Sequence, residues 1–281
     1  MSEFTTRDGC LIHYRDTGAG AQTVVLLPGW SQSRTMFDRL ISQMEGNFRV
    51  VSFDYRNHGE SGASPKGARI STLAADLSEL LNHLGIVKAH FLGHSMGCSV
   101  LYSYIDLFGT DSIQSLVLLD QPTVCAGVPW LGAEDGAKAG VMVDFQGAYG
   151  FADTLLGSDS DAFRRGFLQS TVSEDLPNED FEWMYEENLK TRMPYAAKLV
   201  FDHVLQDWRD VLPTIDVPVL VIGGEVSHVP ASSQEWTATA IPGAQVRILT
   251  RDEGGSHFPF IERPEVFATV VTNFFDGNGD R

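Results

Sequence analysis

The pentapeptide Gly93-His94-Ser95-Met96-Gly97 constrains this chain more than any other stretch. It stands between an apolar run that reads as a strand, 89–92, and a segment of helical spacing, 100–107. A serine with glycine two residues to either side asks for a sharp strand-to-helix turn. The serine backbone is strained there, and the glycines let neighbouring segments close in. The Ser95 hydroxyl then stands at the tip of the turn. Beside it lies the helix N-terminus, with free N–H groups and positive potential. The pattern alone is common; the strand before it and the helix after it give it weight.

The same rhythm runs through most of the chain. Strands are expected over 11–14, 23–27, 49–53, 89–92, 115–119, 217–222 and 245–249. Helices are expected over 35–45, 71–84, 100–107, 233–240 and 265–275. The segment 71–84 carries one apolar stripe (Leu73, Ala74, Leu77, Leu80, Leu81, Leu84), with Ser71 as its N-cap and Gly85 as its stop. The strand candidates are continuously apolar rather than alternating. That pattern belongs to a parallel sheet covered on both faces. Between 123 and 207 no strand is evident; aromatic and acidic residues abound, with helical candidates at 161–171, 179–189 and 195–208. The expected fold is therefore α/β, a mostly parallel doubly wound sheet with a helical insertion. The expected organisation is core 1–122, insertion 123–210 and core 211–281, with the tail 276–281 frayed.

Composition narrows the partners. The net charge is −17, with no basic cluster, so the chain repels phosphate backbones and anionic lipid. A small-molecule substrate is expected, not nucleic acid or a membrane. Three cysteines (Cys10, Cys98, Cys125) are odd in number and lack metal-ligand spacing, which disfavours a disulfide framework or a zinc site. The N-terminus is polar, without the apolar core of a signal peptide, and no window is apolar enough to span a bilayer. A cytoplasmic location fits these features.

A nucleophilic serine needs a base. His257, in Gly255-Ser256-His257-Phe258, follows the last expected strand and so reaches the sheet edge that carries Ser95. Among the other histidines only His228 also sits in a loop free of the motifs.

With Pro28-Gly29-Trp30 after one strand, Asp54-Tyr55-Arg56-Asn57-His58-Gly59 after the next, the Ser95 turn and the His257 loop, the chain resembles the α/β-hydrolase superfamily, in its haloperoxidase/esterase-like branch. Asn57 departs from the family's usual glycine, in a loop that is normally structural. The resemblance implies a Ser-His-acid triad. The family's acid commonly follows the strand at 217–222, but Val226 and Ser227 occupy that position here. Asp120, at the end of the strand after the Ser95 helix, matches the arrangement of a subset of the family and is the preferred acid; Glu225 is the fallback. By resemblance, the backbone N–H groups of Trp30 and Met96 form the oxyanion hole, and the insertion is a cap over the site. Trp30, His94, Trp130, Trp183 and Met184 are expected to line the substrate pocket, although aromatics in helices more often build core.

Three functions stay open. The first is hydrolysis of a carboxylic ester or lactone of an apolar small molecule, with no cofactor or metal. The second is cofactor-free ring cleavage of a 3-hydroxy-4-quinolone. Dioxygenases of that kind share the Pro-Gly-Trp and the acid position, and a His/Asp pair deprotonates their substrate. The third is a ligand-binding receptor of the same fold. Haloalkane dehalogenation is disfavoured, because it needs a carboxylate where Ser95 stands.

Overall fold

The computed structural model describes residues 2–277; the expected fraying of 276–281 falls mostly outside them. Eight strands form one sheet: β1 (Ser2–Thr5), β2 (Leu11–Asp16), β3 (Gln22–Leu27), β4 (Phe48–Phe53), β5 (Ala89–His94), β6 (Ile113–Leu119), β7 (Val219–Gly224) and β8 (Gln245–Leu249). Their order across the sheet is β1-β2-β4-β3-β5-β6-β7-β8. From β4 to β8 every pairing is parallel, while β1 and β2 form an antiparallel edge. The polar four-residue β1 has no apolar run to betray it in the sequence.

Alternate side chains of each central strand feed two cores. Val25 and Leu27 of β3 join Phe91, Leu116, Leu118 and Val221 on one face. Val24 and Leu26 join Leu92, Val117, Leu119 and Ile222 on the other. The first face is covered by α2 (Ile70–His83) and α3 (Met96–Phe108), the second by α1 (Asp38–Met44) and α11 (Pro264–Phe275). Burial on both faces is why the strands read as unbroken apolar runs.

The helix expected over 35–45 divides into a 3₁₀ turn, Arg34–Phe37, and α1. Ser71 is not an N-cap: α2 begins at Ile70, whose N–H donates to Asp202 Oδ2 at 2.9 Å. That cap comes from a residue 132 positions away, which local sequence cannot disclose.

Between β6 and β7 lie five helices: α4 (Ala133–Ala139), α5 (Phe145–Leu156), α6 (Ser160–Gln169), α7 (Asn178–Leu189) and α8 (Tyr195–Val204). The last ends four residues short of the expected 195–208. Helices α4 and α5 escape sequence reading because Gly136, Gly147 and Gly150 interrupt them, and glycine is a weak helix former. After β7 come α9 (Ala231–Ala240), and after β8 the short α10 (Pro259–Glu262) that leads into α11.

Candidate active site

The loops after β3, β5, β6, β7 and β8 leave the same edge of the sheet, and these strands are contiguous. They carry Trp30, Ser95, Asp120, Ser227 with His228, and His257 respectively. The chain turns one way from β3 to β4 and the other from β3 to β5, so the crevice opens where the order reverses. Ligands of open α/β sheets bind at such a point.

Ser95 sits at φ 52° and ψ −125°, a conformation that side chains rarely adopt. Tight packing holds it there. A Cβ on Gly97 would lie 2.4 Å from the Leu27 carbonyl oxygen, and one on Gly93 would lie 2.8 Å from the Cys98 nitrogen. Gly29 lets the loop after β3 approach, since a Cβ there would come within 3.0 Å of Ser95 Cβ. Met96 opens α3, so its N–H has no intrahelical partner. The Trp30 N–H makes no backbone hydrogen bond among the described residues.

Asp120 is fully buried and also has positive φ, 55°. Its N–H donates to the Ile222 carbonyl at 2.8 Å, which ties it to β7. Its Oδ2 accepts from His257 Nδ1 at 2.6 Å and from Ser227 Oγ at 2.5 Å. His257 is 5% exposed, and with Nδ1 occupied its Nε2 is left as the reactive nitrogen. His94 supports it from below, its Nε2 donating to the His257 carbonyl at 2.8 Å. Burial, and secondarily His257, hold the His94 imidazole well below the ordinary pKa. His228 packs edge-on against the His257 ring, with centroids 4.5 Å apart. Burial, then the proximity of His257, push its pKa down to about 3, so it stays neutral. Glu225 is turned elsewhere: its Oε2 accepts from the Arg251 N–H at 2.9 Å.

A cavity of about 320 Å³ takes in Ser95 and His257 from the core and Phe151, Phe167 and His203 from the insertion, with Trp30 between them. Such a volume suits a small organic molecule. The insertion is fastened over it: Trp30 Nε1 donates to the Ala196 carbonyl at 3.0 Å, and Ser31 Oγ to the Asn188 carbonyl at 3.1 Å.

Of the expected pocket residues, only Trp30 lines this cavity. His94 is buried beneath His257 and does not reach it. Trp130 is 70% exposed, with Nε1 donating to Asp207. Trp183 lies under the Arg39 guanidinium, and Met184 is sealed in the core on the α1 face. Phe181 and Met184 of α7 pack into the core, and Asn188 is the residue of this helix that reaches the cavity. Phe151, Phe167 and His203 were missed as lining residues, and sequence offers no signal for them beyond aromatic content. Ser227 did have a signal, because it occupies the position where the resemblance places an acid.

Nitrogens of His228 and His257 and an Asp120 oxygen lie within 4.8 Å of one another, the one metal-capable grouping among the described residues. Two of the three are already bonded to each other, so an ion would have to displace that bond. No helix of the described residues is long and apolar enough to cross a membrane.

A family model described as the alpha/beta hydrolase family matches residues 24–270. A non-heme chloroperoxidase of Kitasatospora aureofaciens is 31% identical over 265 residues, covering 90% of each chain. The crystal structure of an esterase from a Rhodococcus species superposes with a TM-score of 0.81 at 26% identity, covering 99% of each chain. An esterase from Exiguobacterium antarcticum, at 22% identity, matches the fold with a TM-score of 0.88 over 98% of this chain and 99% of its own.

Proposed function

This chain belongs to the alpha/beta hydrolase family, in its haloperoxidase/esterase-like branch, and from that premise we propose that it is a serine hydrolase of carboxylic esters or lactones of apolar small molecules. The observation that carries the reading is a single cavity bounded by both Ser95, on its strained turn, and His257, whose ring Asp120 fixes.

The reaction follows from that arrangement. Ser95 Oγ attacks the substrate carbonyl carbon while His257 Nε2 takes its proton. Asp120 keeps the proton on Nδ1 and stabilises the imidazolium. The tetrahedral oxyanion lies against the N–H groups of Trp30 and Met96. As the intermediate collapses, the alcohol oxygen leaves with the proton from His257, and an acyl-Ser95 ester remains. Water then attacks that ester, with His257 as base, and releases the acid and free Ser95. The roof formed by the insertion keeps bulk water from competing with these contacts.

Short and medium-chain aryl esters and lactones are the substrates to test. Ser95→Ala should lower turnover by about three orders of magnitude or more; an unchanged rate would sink the proposal. Ring cleavage of a hydroxyquinolone is the second reading, supported by the aromatic wall of Trp30, Phe151 and Phe167. Those rings meet edge to face, at 69° to 87°, and do not form the parallel plates that would grip a flat bicycle. Oxygen uptake with 2-alkyl-3-hydroxy-4-quinolones, retained in Ser95→Ala and lost in His257→Ala, would favour that reading instead.

A further inference from the structure

The insertion side of the cavity is walled by a stripe of α8, where Val200, His203 and Val204 repeat at helical spacing. His203 is the one polar member of that stripe. It is 6% exposed, and its Nδ1 has no hydrogen-bond partner among the described residues. That atom is sealed from the cavity, which leaves Nε2 as the nitrogen a bound group can reach. Nε2 also makes no hydrogen bond among the described residues, and buried polar groups are almost always paired, so an unpartnered imidazole on a cavity wall asks what pairs with it. Burial pushes the His203 pKa down to about 4, so the imidazole stays neutral near pH 7.

The rest of the lining restricts the answer. No Lys, Arg, Asp or Glu side chain borders this cavity among the described residues. A substrate carboxylate or ammonium would enter it without a countercharge, at a large desolvation cost. An apolar chain alone would leave the imidazole nitrogen unpaired. We infer that His203 is a specificity-determining residue that hydrogen-bonds an uncharged oxygen, an oxo or hydroxyl group, carried on the otherwise apolar acyl chain of the substrate. The preferred substrates are thus oxo- or hydroxyacyl esters and lactones rather than plain alkanoyl ones. This inference rests on the hydrolase reading above and narrows it to a substrate class.

The test compares kcat/KM for p-nitrophenyl octanoate and its 3-, 5- and 7-oxo analogues. The wild type should favour at least one oxo analogue over the parent by about tenfold or more, because a site built to pair with a polar group discriminates against analogues that lack it. His203→Leu should abolish that preference, bringing kcat/KM for every oxo analogue to that of the parent ester or below it. His203→Gln, which keeps an amide donor and acceptor, should retain part of it. His203→Leu should also melt at a higher temperature than the wild type, since it removes an unpaired buried polar atom. A side chain that merely packed would show the opposite shift. No preference among the four esters in the wild type, or a preference that survives in His203→Leu, overturns the inference. Failure to hydrolyse any of the four overturns the hydrolase reading itself, whereas brisk hydrolysis of the parent without discrimination overturns only the role of His203.

Discussion

Ser227 donates its hydroxyl to Asp120 Oδ2 across 2.5 Å, on the same oxygen that accepts from His257 Nδ1. The second carboxylate oxygen, Oδ1, has no partner among the described residues. Ser227 therefore fixes which oxygen faces the imidazole, and so the direction of the ring. Ser227→Ala should lower kcat about 10- to 100-fold, the worth of one hydrogen bond to a charged group, with KM little changed. Ser227→Thr keeps the hydroxyl and should recover most of the loss. An alanine variant with wild-type kcat would show the carboxylate to be held well enough without it.

Asp120 and Glu225 compete for the role of acid on sequence grounds, and their surroundings separate them. Asp120 bonds His257, while Glu225 accepts from the Arg251 backbone. Asp120→Asn should reduce ester turnover by about four orders of magnitude, because the wrong imidazole tautomer is then favoured. Glu225→Gln should leave kcat within about twofold. Steady-state rates of the two variants on one aryl ester decide the matter, and a reversed ranking would require another geometry in solution.

Much of this was legible because it is local. An apolar run, a turn and a helix encode the Ser95 elbow within about twenty residues, and the unbroken runs of β3 to β7 announce two buried faces. Asn57 could be set aside as structural in the same way: it sits at φ 61°, a region asparagine tolerates, and its carbonyl accepts from the Arg192 N–H at 3.0 Å. The pocket was not legible, because helical periodicity separates a buried from an exposed side but does not say whether the buried side meets core or cavity. Met184 and Val200 both read as apolar helical positions; one is sealed in the core and the other borders the ligand space. The cap of α2 by Asp202 and the bond from Ser227 to Asp120 join residues more than a hundred positions apart. Only folding creates such pairs.

Buried neutral histidines make stability depend on pH. Burial depresses the pKa of His58 and of His203 to about 4 each, and that of His94 well below its ordinary value. In the unfolded chain each takes up a proton near pH 6.5, whereas the folded chain does not. The unfolded state thus binds more protons below that pH, and stability falls as pH drops from about 6.5 toward 4. Each such histidine contributes a slope of about 1.4 kcal/mol per pH unit inside that window. Urea unfolding at pH 7, 6 and 5 should show the decline. His203→Leu should flatten the slope by about one histidine's share; a slope identical to wild type would mean that His203 protonates freely in the folded protein.

Trp30 does two separable things. Its backbone N–H is a proposed oxyanion donor, and its indole N–H ties the loop after β3 to α8 through the Ala196 carbonyl. Trp30→Phe keeps the backbone donor and most of the ring area against Phe151 and Phe167 but loses the tie. A neutral hydrogen bond is worth about 1 kcal/mol, so KM should rise about two- to tenfold as the roof loosens, while kcat changes less. Trp30→Ala also removes the ring and should destabilise the fold by about 3–5 kcal/mol. Steady-state kinetics separate these effects. If Trp30→Phe instead lowers kcat as much as it raises KM, the indole helps to set the oxyanion geometry itself, and the roof and the reaction centre are coupled through this one side chain.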